Sequence, residues 1–218
     1  MWVQVLRSQR SDVLIALGLL YGWAKPTRRS LTFDQYRAIL GATVTLEAIR
    51  AAEEVLQRAA EVGVAEARTM LAAPVSERVV VRSTAMARNW ASEYAAGAVE
   101  WVDNTSARRL SEGLALWSAG QEVERAEETI DQLYSDVRAA TIGITLTSRG
   151  YNVGAMTLYR SVPEIKGLQW ITWSDERTCP QCGLMDGAIG TLGGSFGGVT
   201  QPAHARCRCT VVPWYGGV

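Results

Sequence analysis

Cys179-Pro180-Gln181-Cys182-Gly183 and, further on, His204-Ala205-Arg206-Cys207-Arg208-Cys209 decide how the C-terminal part of this chain folds. All 4 cysteines and the single histidine of the 218 residues lie in these two stretches, so they point to one site instead of scattered core filler. Two thiolates three positions apart converge on one ion when the turn between them is tight. Pro180 presets φ in that turn, and Gly183 is expected to supply a positive φ after it. Structural zinc is tetrahedral and takes four N or S donors.

Five donors are offered for four places. His204 and Cys207 repeat the spacing of the first pair, and the set read here is Cys179, Cys182, His204 and Cys207. Cys209 is the alternative ligand, replacing Cys207 or His204, since Cys207 and Cys209 are expected on one face of a strand. A disulfide, or reduced thiols that simply pack, are the competing readings. A Zn2+ ion here is structural: a segment poor in aliphatic residues needs a staple. A zinc deaminase requires H-x-E with P-C-x-x-C, whereas Ala205 and Arg206 follow His204 and the proline lies inside the cysteine pair. With one histidine, no imidazole base remains, so no enzyme is expected. Arg206 and Arg208 flank Cys207 as candidate phosphate contacts, although solvent-facing arginines on a strand are the commoner explanation.

Outward from this cluster the texture changes near Ser161-Val162-Pro163, where proline disfavours helix in the preceding residue. Residues 1–160 form a helical domain and 161–218 a small zinc-binding module, giving an α+β chain: a mainly helical N-terminal region followed by a zinc-stapled, β-rich C-terminal module. Thr32 and Gln35 form a capping box, and apolar residues from Phe33 to Ala59 recur at helical steps. Gly63 and Pro74 punctuate the next stretch of chain. Met86, Trp90, Tyr94, Ala98 and Trp101 form one stripe, read as packing between helices, in a helix ending at Asp103-Asn104. Leu110 to Trp117 and Val123 to Val137 read as two more helices. Residues 141–147 suit either a strand or a continued helix. Leu168 to Trp173 and Cys207 to Val212 read as strands, with Trp170 and Trp173 packing the module.

Lys+Arg and Asp+Glu both total 22, which gives no global affinity for nucleic acid. The apolar run Val13 to Leu20 is too short to span a bilayer and lacks a cleavage pattern, so it reads as a buried helix, and no membrane partner is expected.

Trp170-Ile-Thr-Trp-Ser-Asp175-Glu-Arg-Thr-Cys179-Pro-Gln-Cys182, then Asp186-Gly187, then Pro202-Ala-His204-Ala-Arg-Cys207-Arg-Cys209 and Pro213, closely resemble the C-terminal signature of the phage Mu F-like head-morphogenesis (minor head protein) family. Arg138-Ala139-Ala140 fits the family's preceding helix, but Leu146 follows Thr145 where the family carries Glu. The resemblance implies a minor capsid protein of a tailed phage, assembled in the host cytoplasm and resident in the virion at the capsid interior or portal vertex. It implies the portal protein or the major capsid protein as partners, packaged DNA as a further contact, and no small-molecule substrate. Some relatives carry a C-terminal toxin domain; none is expected in the few residues after Pro213. The alternative of another class is a zinc-ribbon nucleic-acid-binding protein using Arg206 and Arg208.

Overall fold

The computed structural model describes residues 3–7, 10, 34–35, 38, 46–118 and 123–216, with only the backbone described between 114 and 127. Four helices dominate: α1 Leu46–Thr69, α2 Glu77–Ser118, α3 Val123–Leu133 and α4 Asp136–Tyr159. They are followed by β1 Gly167–Ile171, a short helix α5 Pro180–Met185, β2 Ile189–Gly190 and β3 Thr210–Trp214. β1 is the centre of a three-stranded antiparallel sheet ordered β2-β1-β3, with Trp170 opposite Val211 and Gln169 opposite Ile189. The expected α+β class, mainly helical with a small β-rich C-terminal module, is thus observed. The chain forms two compact units, one of residues 1–52 and 95–142, the other of 53–94 and 143–218.

In the first unit, α2 does not stop at Asp103-Asn104 but runs on for 42 residues in all. The polar run stays helical because its side chains find partners within or beside the helix. The Thr105 and Ser106 hydroxyls bond back to the carbonyls of Trp101 and Val102, each at 2.9 Å. Arg138 donates through Nη2 to the Val102 carbonyl and to Ser106 Oγ at 2.7 Å. Burial, then Arg109, lowers the Arg138 pKa. A second correction concerns the helix expected from Val123 to Val137. It breaks after Leu133, where Ser135 caps a new helix by accepting from the Arg138 N–H at 3.2 Å, leaving Val137 67% exposed. Residues 141–147 are helical, as part of α4. Residues 3–7 are helical with Val5 and Leu6 buried; the apolar run 13–20 and the Thr32 cap lie outside the described residues.

In the second unit Gly63 is no punctuation mark. It sits inside α1 where a Cβ would stand 2.1 Å from the Tyr151 carbonyl oxygen of α4. Gly154 answers it from α4, its Cβ position 2.0 Å from the Ala60 carbonyl oxygen. The two backbones therefore touch, and glycine is required by contact instead of by a turn.

The aromatic stripe of α2 is also corrected. Met86 and Trp101 are 50% and 59% exposed, while Ala87, Ala91, Ala95 and Ala98 are buried. Small side chains let neighbouring helices approach closely, and the bulky residues are displaced to the rim. Trp90 instead stacks on Tyr94 with centroids 4.9 Å apart, and the Arg149 guanidinium lies over the Tyr94 ring.

One hydrophobic core joins the helices of this unit to the C-terminal residues. It includes Ala60, Val64, Met156, Leu158 and Tyr159 together with Leu168, Trp170, Cys182, Phe196, Cys207 and Val211. Fully buried leucines such as Leu158 and Leu168 each contribute about 2 kcal/mol of apolar transfer free energy. Trp170 is fully buried, edge-on to Phe196, but Trp173, beyond the end of β1, is 67% exposed and does not pack the module.

Candidate metal centre

The first pair of donors is built by a helix N-terminus. Cys179 caps α5 at φ −72° and ψ 155°, with Pro180 at the first helical position, where its missing N–H costs nothing. The Cys182 N–H donates to Cys179 Sγ at 3.3 Å and the Gly183 N–H to the Cys179 carbonyl at 2.9 Å. Gly183 is therefore helical, and the positive φ expected there falls on Gly187 at +77° instead. At the far end of α5, Asp186 accepts from the Thr172 N–H at 2.8 Å and the Gly187 N–H reaches the Trp170 carbonyl at 2.8 Å. The Asp-Gly turn thereby fastens α5 to the end of the central strand.

The second group of donors precedes β3 instead of lying on it, since that strand starts at Thr210. A turn in which the Cys207 N–H bonds to the His204 carbonyl, with Arg206 at φ +62°, re-aims the chain so that Cys207 and Cys209 are both buried. α4 holds this arm. Thr145 Oγ1 accepts from the Arg206 N–H at 3.0 Å. Asn152 donates to the Cys209 carbonyl and accepts from the Val211 N–H, each at 3.1 Å. No spacing in the sequence marks Asn152, because its role exists only once the arm lies against the helix. Asn152→Ala would strand two buried backbone groups and is expected to cost about 3 kcal/mol in urea unfolding. A loss below about 0.5 kcal/mol would show that the arm is held by other means.

The donors converge. His204 Nε2 lies 3.2 Å from Cys179 Sγ and 3.1 Å from Cys182 Sγ, and Cys182 Sγ lies 3.9 Å from Cys207 Sγ. Cys179, Cys182 and His204 form one mutually close trio, and Cys182, Cys207 and Cys209 another, with Cys182 common to both. Thiolates bound to one tetrahedral zinc stand about 3.8 Å apart, so the Cys182–Cys207 spacing already matches. His204 Nδ1 lies 2.8 Å from the Ala205 carbonyl, which only accepts. Nδ1 therefore carries the proton, and Nε2 presents its lone pair to the thiols, the tautomer a metal ligand needs.

Burial pushes the Cys209 thiol up to about 11 and the Cys182 thiol higher still, its neighbours Cys209 and Cys179 adding to the effect. The Cys182 N–H, by contrast, lowers the Cys179 pKa. Crowded buried thiols resist ionisation until a divalent ion supplies the missing charge. The cavity among Cys179, Cys182, His204 and Cys209 holds about 20 Å3, room for an ion or a water. These residues can hold a metal ion.

Asp175, a carboxylate close in sequence to the thiols, grips Arg208 through both oxygens, at 2.8 and 2.6 Å. The Arg208 guanidinium holds its carboxyl down to about 2. Arg208 is thus committed to a protein carboxylate, while Arg206 is exposed.

Comparison with known proteins adds the identity of the scaffold. The family model described as Phage Mu protein F like protein matches residues 47–212. No curated protein and no solved structure matches the chain. The match spans α1 through the arm that carries His204, Cys207 and Cys209 and into β3, so the chain belongs to the phage Mu protein F-like family.

Proposed function

We propose that this chain is a minor head protein of a tailed phage, acting in head morphogenesis at or near the portal vertex and carried in the virion. Its family is one of phage head-morphogenesis proteins, structural in character, and the match over residues 47–212 is the observation that carries the reading. In this reading the helical domain 1–160 docks on the portal or major capsid protein. The module 161–218 is stapled by a structural Zn2+ held by Cys179, Cys182, His204 and Cys207, with Cys209 as the alternative ligand. The four soft N and S donors on offer support a structural ion over a catalytic one. Arg206 is the candidate phosphate contact left to packaged DNA. The ion pair of Arg208 with Asp175 removes one of the two arginines on which a nucleic-acid-binding ribbon would rely. No helix among the described residues is long and apolar enough to cross a membrane.

Co-expression with the portal and major capsid proteins of the same phage tests the assignment. A complex that survives about 0.5 M salt, at which a phosphate-only contact has lost most of its affinity, is the expected result. Retention on DNA that vanishes with salt, without any head-protein complex, would sink it in favour of the nucleic-acid reading.

A further inference from the structure

The second unit carries a groove that the metal centre does not use. It lies between the N-terminal half of α2 and the C-terminal end of α4 and encloses about 480 Å3. Val79, Met86, Trp90 and Val153 supply an apolar lining, and Arg82 and Arg160 stand on opposite walls. Val79 to Trp90 is three turns of helix, or about 16 Å, the span over which a docked helix places two or three anchors.

Two observations point to the occupant. Met86 is 50% exposed although it belongs to an apolar lining, so the groove lacks a cover of its own among the described residues. The charge there is one-sided. No Asp or Glu lines the groove, and neither Arg82 nor Arg160 meets a carboxylate among the described residues. Arg58, Arg68 and Arg88, elsewhere on this unit, each pair with a glutamate. Arg160 is further oriented by donating through Nε to the Leu192 carbonyl at 2.7 Å, which leaves the rest of its guanidinium available.

We infer that this groove docks an amphipathic helix of another protein, with apolar anchors entering between Met86 and Val153 and carboxylates meeting Arg82 and Arg160. An arginine aimed at a carboxylate beside an apolar floor gains from charge-assisted hydrogen bonds and from lowered local dielectric together. A nucleic acid would want its phosphates tracked by a row of cations. Here the two cations face each other across an apolar floor.

The test uses the full chain and two synthetic helical peptides, identical on their leucine face but bearing glutamates or lysines along its edges. Anisotropy should show saturable binding of the glutamate peptide at physiological salt and weak binding of the lysine one. Arg82→Glu with Arg160→Glu is expected to weaken the glutamate peptide by at least about tenfold, since both pairs turn repulsive. The same double variant should bind the lysine peptide better than the unaltered chain does. If that variant melts early, Arg82→Gln alone carries the test with about a threefold loss expected. Equal affinity for both peptides, or displacement of the glutamate peptide by a thymidine oligonucleotide, would overturn the inference. So would self-association of the chain that Met86→Glu abolishes, because the occupant would then be a second copy.

Discussion

Cys182→Ser is expected to abolish metal binding and to lower the thermal midpoint more than any other substitution at the centre. Cys182 is the one donor shared by both trios, it is 3% exposed, and it belongs to the core that unites the helices with the sheet. Loss of its thiolate removes a ligand whichever four donors complete the shell. Structural zinc contributes roughly 10–16 kcal/mol in isolated finger peptides. Here the helices supply part of the stability by packing, so a loss of about 5 kcal/mol is expected, lowering the midpoint by about 10–20 °C. Atomic absorption on protein purified under reducing conditions should find close to one zinc per chain in the unaltered protein and almost none in the variant. Were the unaltered chain metal-free, the centre would be a cluster of packed thiols and the zinc assignment would fail. Cys207→Ser and Cys209→Ser, compared side by side, identify the remaining thiolate: the ligand variant loses metal, and the other keeps it.

Gly154→Ala is expected to produce the largest loss outside the centre, about 3 kcal/mol, or a midpoint lower by about 6–12 °C. A methyl group at that position would sit 2.0 Å from a backbone oxygen of α1, which no rotamer change relieves. The helices must separate, and every side chain packed beside the contact loses dispersion energy with them. Gly97→Ala in α2 is the control. Nothing lies within 4 Å of its Cβ position, so the better helix former should stabilise by up to about 1 kcal/mol. Urea unfolding of the three proteins compares them directly. A Gly154→Ala protein as stable as its parent would mean that α1 and α4 do not make this contact in solution.

Much of the candidate donor cluster was legible before any coordinates. Short-range spacing dictates which donors can share an ion, and Cys179 with Cys182 needs only the local turn that Pro180 begins. Trp170 as a buried strand residue and the helical character of the N-terminal region were legible for the same reason, since periodicity and propensity act over a few residues. Other elements were misread because their determinants lie far away in sequence. Gly63 looked like a stop signal until Tyr151 was seen pressing on it. Asp103-Asn104 looked like a helix end until the nearby hydroxyls and Arg138 were seen to satisfy that stretch of α2. Met86 and Trp101 looked like core because size suggests burial, whereas the neighbouring surfaces chose alanine.

The sequence by itself determined that the cysteines and the histidine would gather beside a small β-rich segment behind a helical region, because those constraints are local and chemical. Only the tertiary structure decided that α4 holds the ligand arm through Thr145 and Asn152, that Arg208 belongs to Asp175, and that a basic-walled groove stays open between α2 and α4. Each of these depends on which surfaces meet across many intervening residues, and meeting is settled by shape and by the demand of every buried polar group for a partner.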